Sequence, residues 1–194
     1  SFVSDGNAVD HGDLSIAVAH PTGQSSTTHG YHTGQQPAGT AMGKFAFASN
    51  VTGTDVGDLT TARGYCAGIS STTDGYSAGG TGPSNVIDKF SFSVDGNATD
   101  HGDLSAARGY STGQSSTTHG YTSAAVTSNT NVIDKFAFAS NVTGTDVGNL
   151  TVGRAGPAGQ SSTTHGYTSG ADTLSNVIDK FSFSVDGNAT DVGD

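Results

Sequence analysis

Asp95, Asn97, Thr99, His101 and Asp103 place groups able to ligate a cation at alternate positions of one short segment. Calcium gathers six to eight oxygens from such a spacing, and its loops usually end in a bidentate acid. No such acid closes this segment, so Asp95, Asn97, Thr99 and Asp103 would make only a weak calcium site. Capping of tight turns is the competing role for the same groups. His29, His119 and His165 suggest a metal too, but a zinc centre needs its ligands to converge on one point. These histidines instead recur at one position of a repeat whose remaining copy holds Asp74. Each imidazole is expected to bond to its neighbouring turn, with no metal or other cofactor.

Arg63, Arg108 and Arg154 share a second repeat position, and Asp88, Asp134 and Asp179 a third. Charged pairs of this kind read as ion pairs, or as arginine-to-carbonyl bonds, between strands. A Ser/His/Asp triad can be drawn from many combinations in this chain. A catalytic group is needed once, however, and these residues come as interchangeable copies, which points to a structural task and away from an enzyme. Five Asn-x-Ser/Thr sequons, at Asn50, Asn97, Asn141, Asn149 and Asn188, read as turn chemistry; they would matter as glycan acceptors only in a eukaryotic secreted chain.

The elements that hold these residues must be built from an unusual composition. The chain has 194 residues, 7 basic against 17 acidic, for a formal charge of -10. That balance argues against nucleic acid or an anionic membrane as partner. Every acid is an aspartate, which favours turns over helices. Cys66 stands alone, so no intrachain disulfide is expected. No apolar run approaches the ~20 residues of a membrane helix, and no basic-then-apolar leader opens the chain. A soluble single domain, or a piece of a larger one, is expected.

Leu, Ile, Val and Phe together make 34 of the 194 residues, about 18%, a fraction that with this net charge suggests disorder. Internal repetition changes that reading. Lys89–Asp100 recurs unchanged at Lys180–Asp191, and Lys44–Gly57 at Lys135–Gly148. The marker lysines Lys44, Lys89, Lys135 and Lys180 give a period of 45 or 46 residues. Four units follow, at approximately 1–43, 44–88, 89–134 and 135–179, with 180–194 beginning a fifth. The units alternate, since Asp-Gly-Asn-Ala begins at 5, 95 and 186 and Asn-Val-Thr-Gly at 50 and 141.

Within a unit, Asn85–Ser93 alternates in the manner of a half-buried strand, with Phe90 and Phe92 on one face. Asp95–Asp103 reads as a loop and Leu104–Arg108 as a further strand. Gly113–Ser116 and His119–Thr122 read as a hairpin turning at Thr117–Thr118. Three to four short strands per unit result, and four is the number in a β-propeller blade. A blade cannot bury its own face, so neighbours must stack, with the phenylalanine pairs between them and small residues crowding near the axis.

Asp58–Tyr65, Ala67–Ser71, Tyr76–Gly80 and Val86–Phe90 together resemble a kelch repeat, without its tryptophan and with the glycine doublet only at Gly79–Gly80. The Ile-Asp-Lys-Phe, Asp-Gly-Asn-Ala-Thr-Asp and Gly-Gln-Ser-Ser-Thr-Thr-His-Gly-Tyr arrays are also similar to those of virion structural proteins of marine phages, cyanophages above all. These resemblances imply an all-β, kelch-like β-propeller of four-stranded antiparallel blades. They imply a non-enzymatic component of a phage tail or fibre, located in the virion or outside the cell. Its partners would be other virion proteins, a host-surface glycan or receptor, and further copies of itself. The strand at Asn176–Ser184 would close a four-bladed ring; otherwise the chain is part of a larger ring or an oligomeric fibre. The kelch-type copper-radical oxidases need a cysteine-linked tyrosine with further ligands, and beyond Tyr65–Cys66 that set is missing. A bacterial adhesin or surface module, calcium-stabilised, is the alternative function. A Thr-rich β-solenoid fits a 45-residue period poorly.

Overall fold

A computed structural model describes residues 7–82, 84–125 and 130–193. Among them there is no helix, and sixteen strands form four antiparallel sheets of four. The first sheet holds β1 (Thr22–Ser25), β2 (His29–Thr33), β3 (Gly39–Ala46) and β4 (Thr54–Arg63). The second holds β5 (Ala67–Ser70), β6 (Asp74–Ala78), β7 (Val86–Ser91) and β8 (Thr99–Asp103). The third holds β9 (Thr112–Ser115), β10 (His119–Ala125), β11 (Thr130–Ala137) and β12 (Thr145–Asn149). The fourth holds β13 (Ala158–Ser161), β14 (His165–Ser169), β15 (Ile178–Ser182) and β16 (Thr190–Asp191). Each sheet is an up-and-down meander in chain order.

Sequence explains most of these boundaries. Ser-Ser-Thr-Thr makes the first hairpin turn, where Ser116 Oγ accepts from the amides of Thr118 and His119. The glycine after each of His29, His119 and His165 faces a phenylalanine across the next strand, as Gly120 faces Phe136. A Cβ on Gly120 would strike that ring, so glycine lets the ring lie flat on the sheet. Three expectations need correction. Residues 99–103, read as loop, form the outermost strand, whose polar sequence suits a sheet edge. Residues 104–108 form no strand; Leu104 turns into the core and Arg108 into a buried ion pair. The strand at 176–184 does not close a ring beside the first sheet, because β15 lies inside its own sheet between β14 and β16.

The sheets face one another in succession. Tyr31, Met42 and Leu59 of the first cluster with Phe90 and Ala98 of the second. Tyr76, Ile69 and Ile87 of the second cluster with Phe136 of the third, and Tyr121, Ile133 and Leu150 of the third with Phe181 and Ala189 of the fourth. In each interface one tyrosine meets the following phenylalanine pair. Tyr121, for example, lies 4.8 Å from Phe183 in a stacked arrangement and 5.5 Å from Phe181 in a tilted one. Aromatic contacts of this geometry add to the gain from burial. The first strands crowd together, β1 beside β5, β5 beside β9, and β9 beside β13. There the glycines at 68, 113 and 159 sit so close to the preceding strand that a Cβ would meet its backbone carbonyl.

Truncating Tyr121 to alanine should open a cavity between the third and fourth sheets and cost about 3–5 kcal/mol of unfolding free energy. Tyr121→Phe should cost far less, since the hydroxyl bond to the Phe183 carbonyl is long at 3.4 Å. Urea denaturation of both variants checks this, and equal losses would contradict it.

Candidate functional site

Just before the first strand of each sheet stands one repeat position, occupied by His20, Tyr65, Tyr110 and Gly156. All four have left-handed backbone, with φ of 52°, 54°, 59° and 63°. For a histidine or tyrosine that conformation costs on the order of 1–3 kcal/mol, and such residues cluster at functional sites. Contacts between sheets hold it in place. The Tyr110 amide donates to the Tyr65 carbonyl at 3.0 Å, and the Gly156 amide to the Tyr110 carbonyl at 2.9 Å.

The left-handed turn aims the three rings into a single stack. His20 lies 4.6 Å from Tyr65, and Tyr65 3.9 Å from Tyr110, with planes within 28° and 19° of parallel. The stack ends at Gly156, where the Asp172 carboxylate fills the space a side chain would take. These residues line an open cup of about 470 Å³, built mainly from the segments that lead into the four sheets, with Cys66 and Ser111 at its wall. Bonding to Tyr110 pushes the Tyr65 hydroxyl pKa up, with burial and the charges of Tyr110 and Asp172 acting the same way. Burial pushes the Cys66 thiol up despite the nearby Arg63, so it is a poor nucleophile. The cup offers hydroxyls, ring edges and one carboxylate. Such groups suit hydrogen bonding to a polyhydroxylated ligand; no activated nucleophile with its base stands among them.

The cation candidates are spread among different partners. Asp95 takes the Lys44 ammonium of the preceding sheet on both oxygens, at 2.7 and 2.6 Å. Asn97 Oδ1 accepts from the Asp58 amide at 3.1 Å. Thr99 and Asp103 lie in β8, where the Asp103 carbonyl accepts from the Gly144 amide of the third sheet. His101 Nε2 contacts the Ala137 carbonyl at 2.9 Å. No group of three or more His, Cys, Asp or Glu side chains is placed to hold a metal among the described residues. The repeated histidines stay apart, and Nδ1 of His29, His119 and His165 meets the hydroxyl of Thr28, Thr118 and Thr164 respectively.

The Arg and Asp positions come together as ion pairs, Arg63 with Asp88 at 2.7 Å, Arg108 with Asp134 at 2.9 Å, and Arg154 with Asp179. The carboxylates are fully buried, and each also receives a backbone amide and a hydroxyl, from Thr60, Ser105 or Thr151. One repeat before Arg63 and Asp88 the same positions hold Val18 and Gly43, so that copy of the pair is missing. The His32 ring fills the space above Gly43, buried, with neither nitrogen hydrogen-bonded among the described residues; burial lowers its pKa. Sequence reasoning missed the aromatic stack, although its signal was present: four residues at the 45-residue period whose last member is glycine.

No protein-family model matches the chain, and no curated protein matches it. The likeness to kelch repeats and to phage arrays therefore rests on the residues quoted above.

Two outcomes are expected. Asp134→Ala strands the buried Arg108 guanidinium and should cost about 3–5 kcal/mol, whereas Asp186→Ala removes an exposed partner of Lys135 and should cost about 0–1 kcal/mol; chemical denaturation compares them. Calorimetry with calcium and with chelator should give the same melting temperature, because Asp95 and Asn97 are already bonded to the first sheet. A rise with free calcium would restore the cation site.

Proposed function

We propose that this chain is a non-catalytic module of a kelch-like propeller, serving in a phage tail or fibre and contacting a host-surface glycan or receptor through its axial cup. The observation that carries this reading is the row of strained His20, Tyr65 and Tyr110, whose rings share one cup. Residues capable of chemistry elsewhere come as repeated copies, each with a packing role, and this supports a non-enzymatic part. The formal charge of -10 disfavours nucleic acid and anionic membranes as partners. The Asp-Gly-Asn-Ala loop at 95–98 turns its polar groups to the neighbouring sheet, so the cup is the better surface for a sugar. A bacterial surface module would use the same cup in another place.

A glycan array should show binding that falls at least tenfold in Tyr110→Ala. Signal unchanged by that variant, or none above a buffer control, would sink the cup as the binding surface. Mass spectrometry of purified virions should find the chain in particles; recovery only from a bacterial envelope fraction would favour the surface module.

A further inference from the structure

The two end faces of the sheet series are the two halves of an interface already present in its middle. Residues 44–57 of the first sheet are identical to 135–148 of the third, which receive the second sheet. Residues 176–183 of the fourth sheet are identical to 85–92 of the second, which is the sheet that docks there. Residues 159–169, with Tyr167, are identical to 113–123, which present Tyr121 to the fourth sheet.

Both faces show missing cover among the described residues. Phe136 is 2% exposed under Tyr76, while on the first sheet Phe45 is half-buried and Phe47 is 45% exposed. A groove of about 460 Å³ runs over them, lined by Leu14, Gly30, His32, Phe45 and Phe47. On the fourth sheet, Ile178 is 37% exposed, whereas its counterparts Ile87 and Ile133 are fully buried. Among the described residues, Tyr167 has no phenylalanine pair beyond it of the kind that covers Tyr31, Tyr76 and Tyr121.

The N-terminal segment shows how the partner fits. Asp10–Leu14 repeats Asp100–Leu104 and lies on the first sheet as that segment lies on the third. His11 Nε2 meets the Ala46 carbonyl at 3.0 Å, matching His101 on Ala137 at 2.9 Å. The Gly53 amide donates to the Asp13 carbonyl at 2.7 Å, matching Gly144 on Asp103 at 2.6 Å. A segment matching an outermost strand in sequence and contacts is thus seated on the first sheet, and among the described residues the three strands that would belong beside it are absent.

We propose that a second copy of this chain supplies them. Its fourth sheet enters the groove of the first sheet, Tyr167 covers Phe45 and Phe47, and the segment 10–14 takes the place of the two-residue β16 at the edge of β15. The contact is heterologous, so copies join head to tail and either close into a ring or extend.

Analytical ultracentrifugation of the 194-residue chain tests this. The expected result is mass rising with concentration in multiples of 19.3 kDa. Phe47→Asp spoils one face and Tyr167→Asp the other, so each variant alone should sediment at 19.3 kDa, and their 1:1 mixture should give a dimer through the two intact faces. Circular dichroism melts check that both variants fold. A chain that stays monomeric at every concentration, variants that associate like the parent, or a mixture that stays monomeric would each overturn the proposal.

Discussion

A sheet of four short strands with one good apolar face has nothing of its own to lay on that face. Here the obstacle is met by a single contact made three times, a tyrosine from one sheet lying on a phenylalanine pair of the next. Much else follows from it. Glycine must precede the tyrosine so that the ring across the strand can lie flat, and glycine must occupy the first strands so that the sheets come close enough for the rings to meet. A chain with few aliphatic residues folds because its aromatic residues are spent where two sheets share them.

The buried ion pairs work inside this frame. A carboxylate at zero exposure is tolerable only when its lone pairs are filled, and Asp88, Asp134 and Asp179 each receive a guanidinium, an amide and a hydroxyl. Two of the arginines also reach a neighbouring strand's backbone: Arg63 donates to the Ser77 carbonyl and Arg154 to the Val177 carbonyl. At the first repeat Val18 and Gly43 drop both charges together, and His32 fills the space above Gly43. Loss of one partner alone would have left an uncompensated charge.

The repeat period, the hairpin at Thr117–Thr118 and the placement of Phe90 between sheets were legible because periodicity and turn chemistry are local signals. So was the pairing of Arg63 with Asp88, since two charges 25 or 26 residues apart in three copies imply a common contact. The strand at Thr99–Asp103 was not legible, because Asp, His and Gly are poor strand formers and pairing to the edge of β7 overrides them. The aromatic stack was hidden for another reason: a left-handed tyrosine leaves no mark in composition, and only alignment with Gly156 betrays it. The sheets also run across the lysine markers used to count units, since each lysine falls in or beside the third strand.

Alternation of the units bears on how such a chain avoids tangling with itself. Lys44 and Lys135 reach forward to Asp95 and Asp186, whereas Lys89 turns back to Asp74 because Asn141 stands where the forward acid would be. Val56 packs toward Ala98 where His101 instead bonds to Ala137. A nascent strand that mistakes its neighbour for the next but one meets the wrong loop and forfeits these contacts, while an error of two places meets a faithful duplicate. Kinetic traps in this protein should therefore be spaced ninety residues apart, the distance over which its own sequence can no longer tell right from wrong.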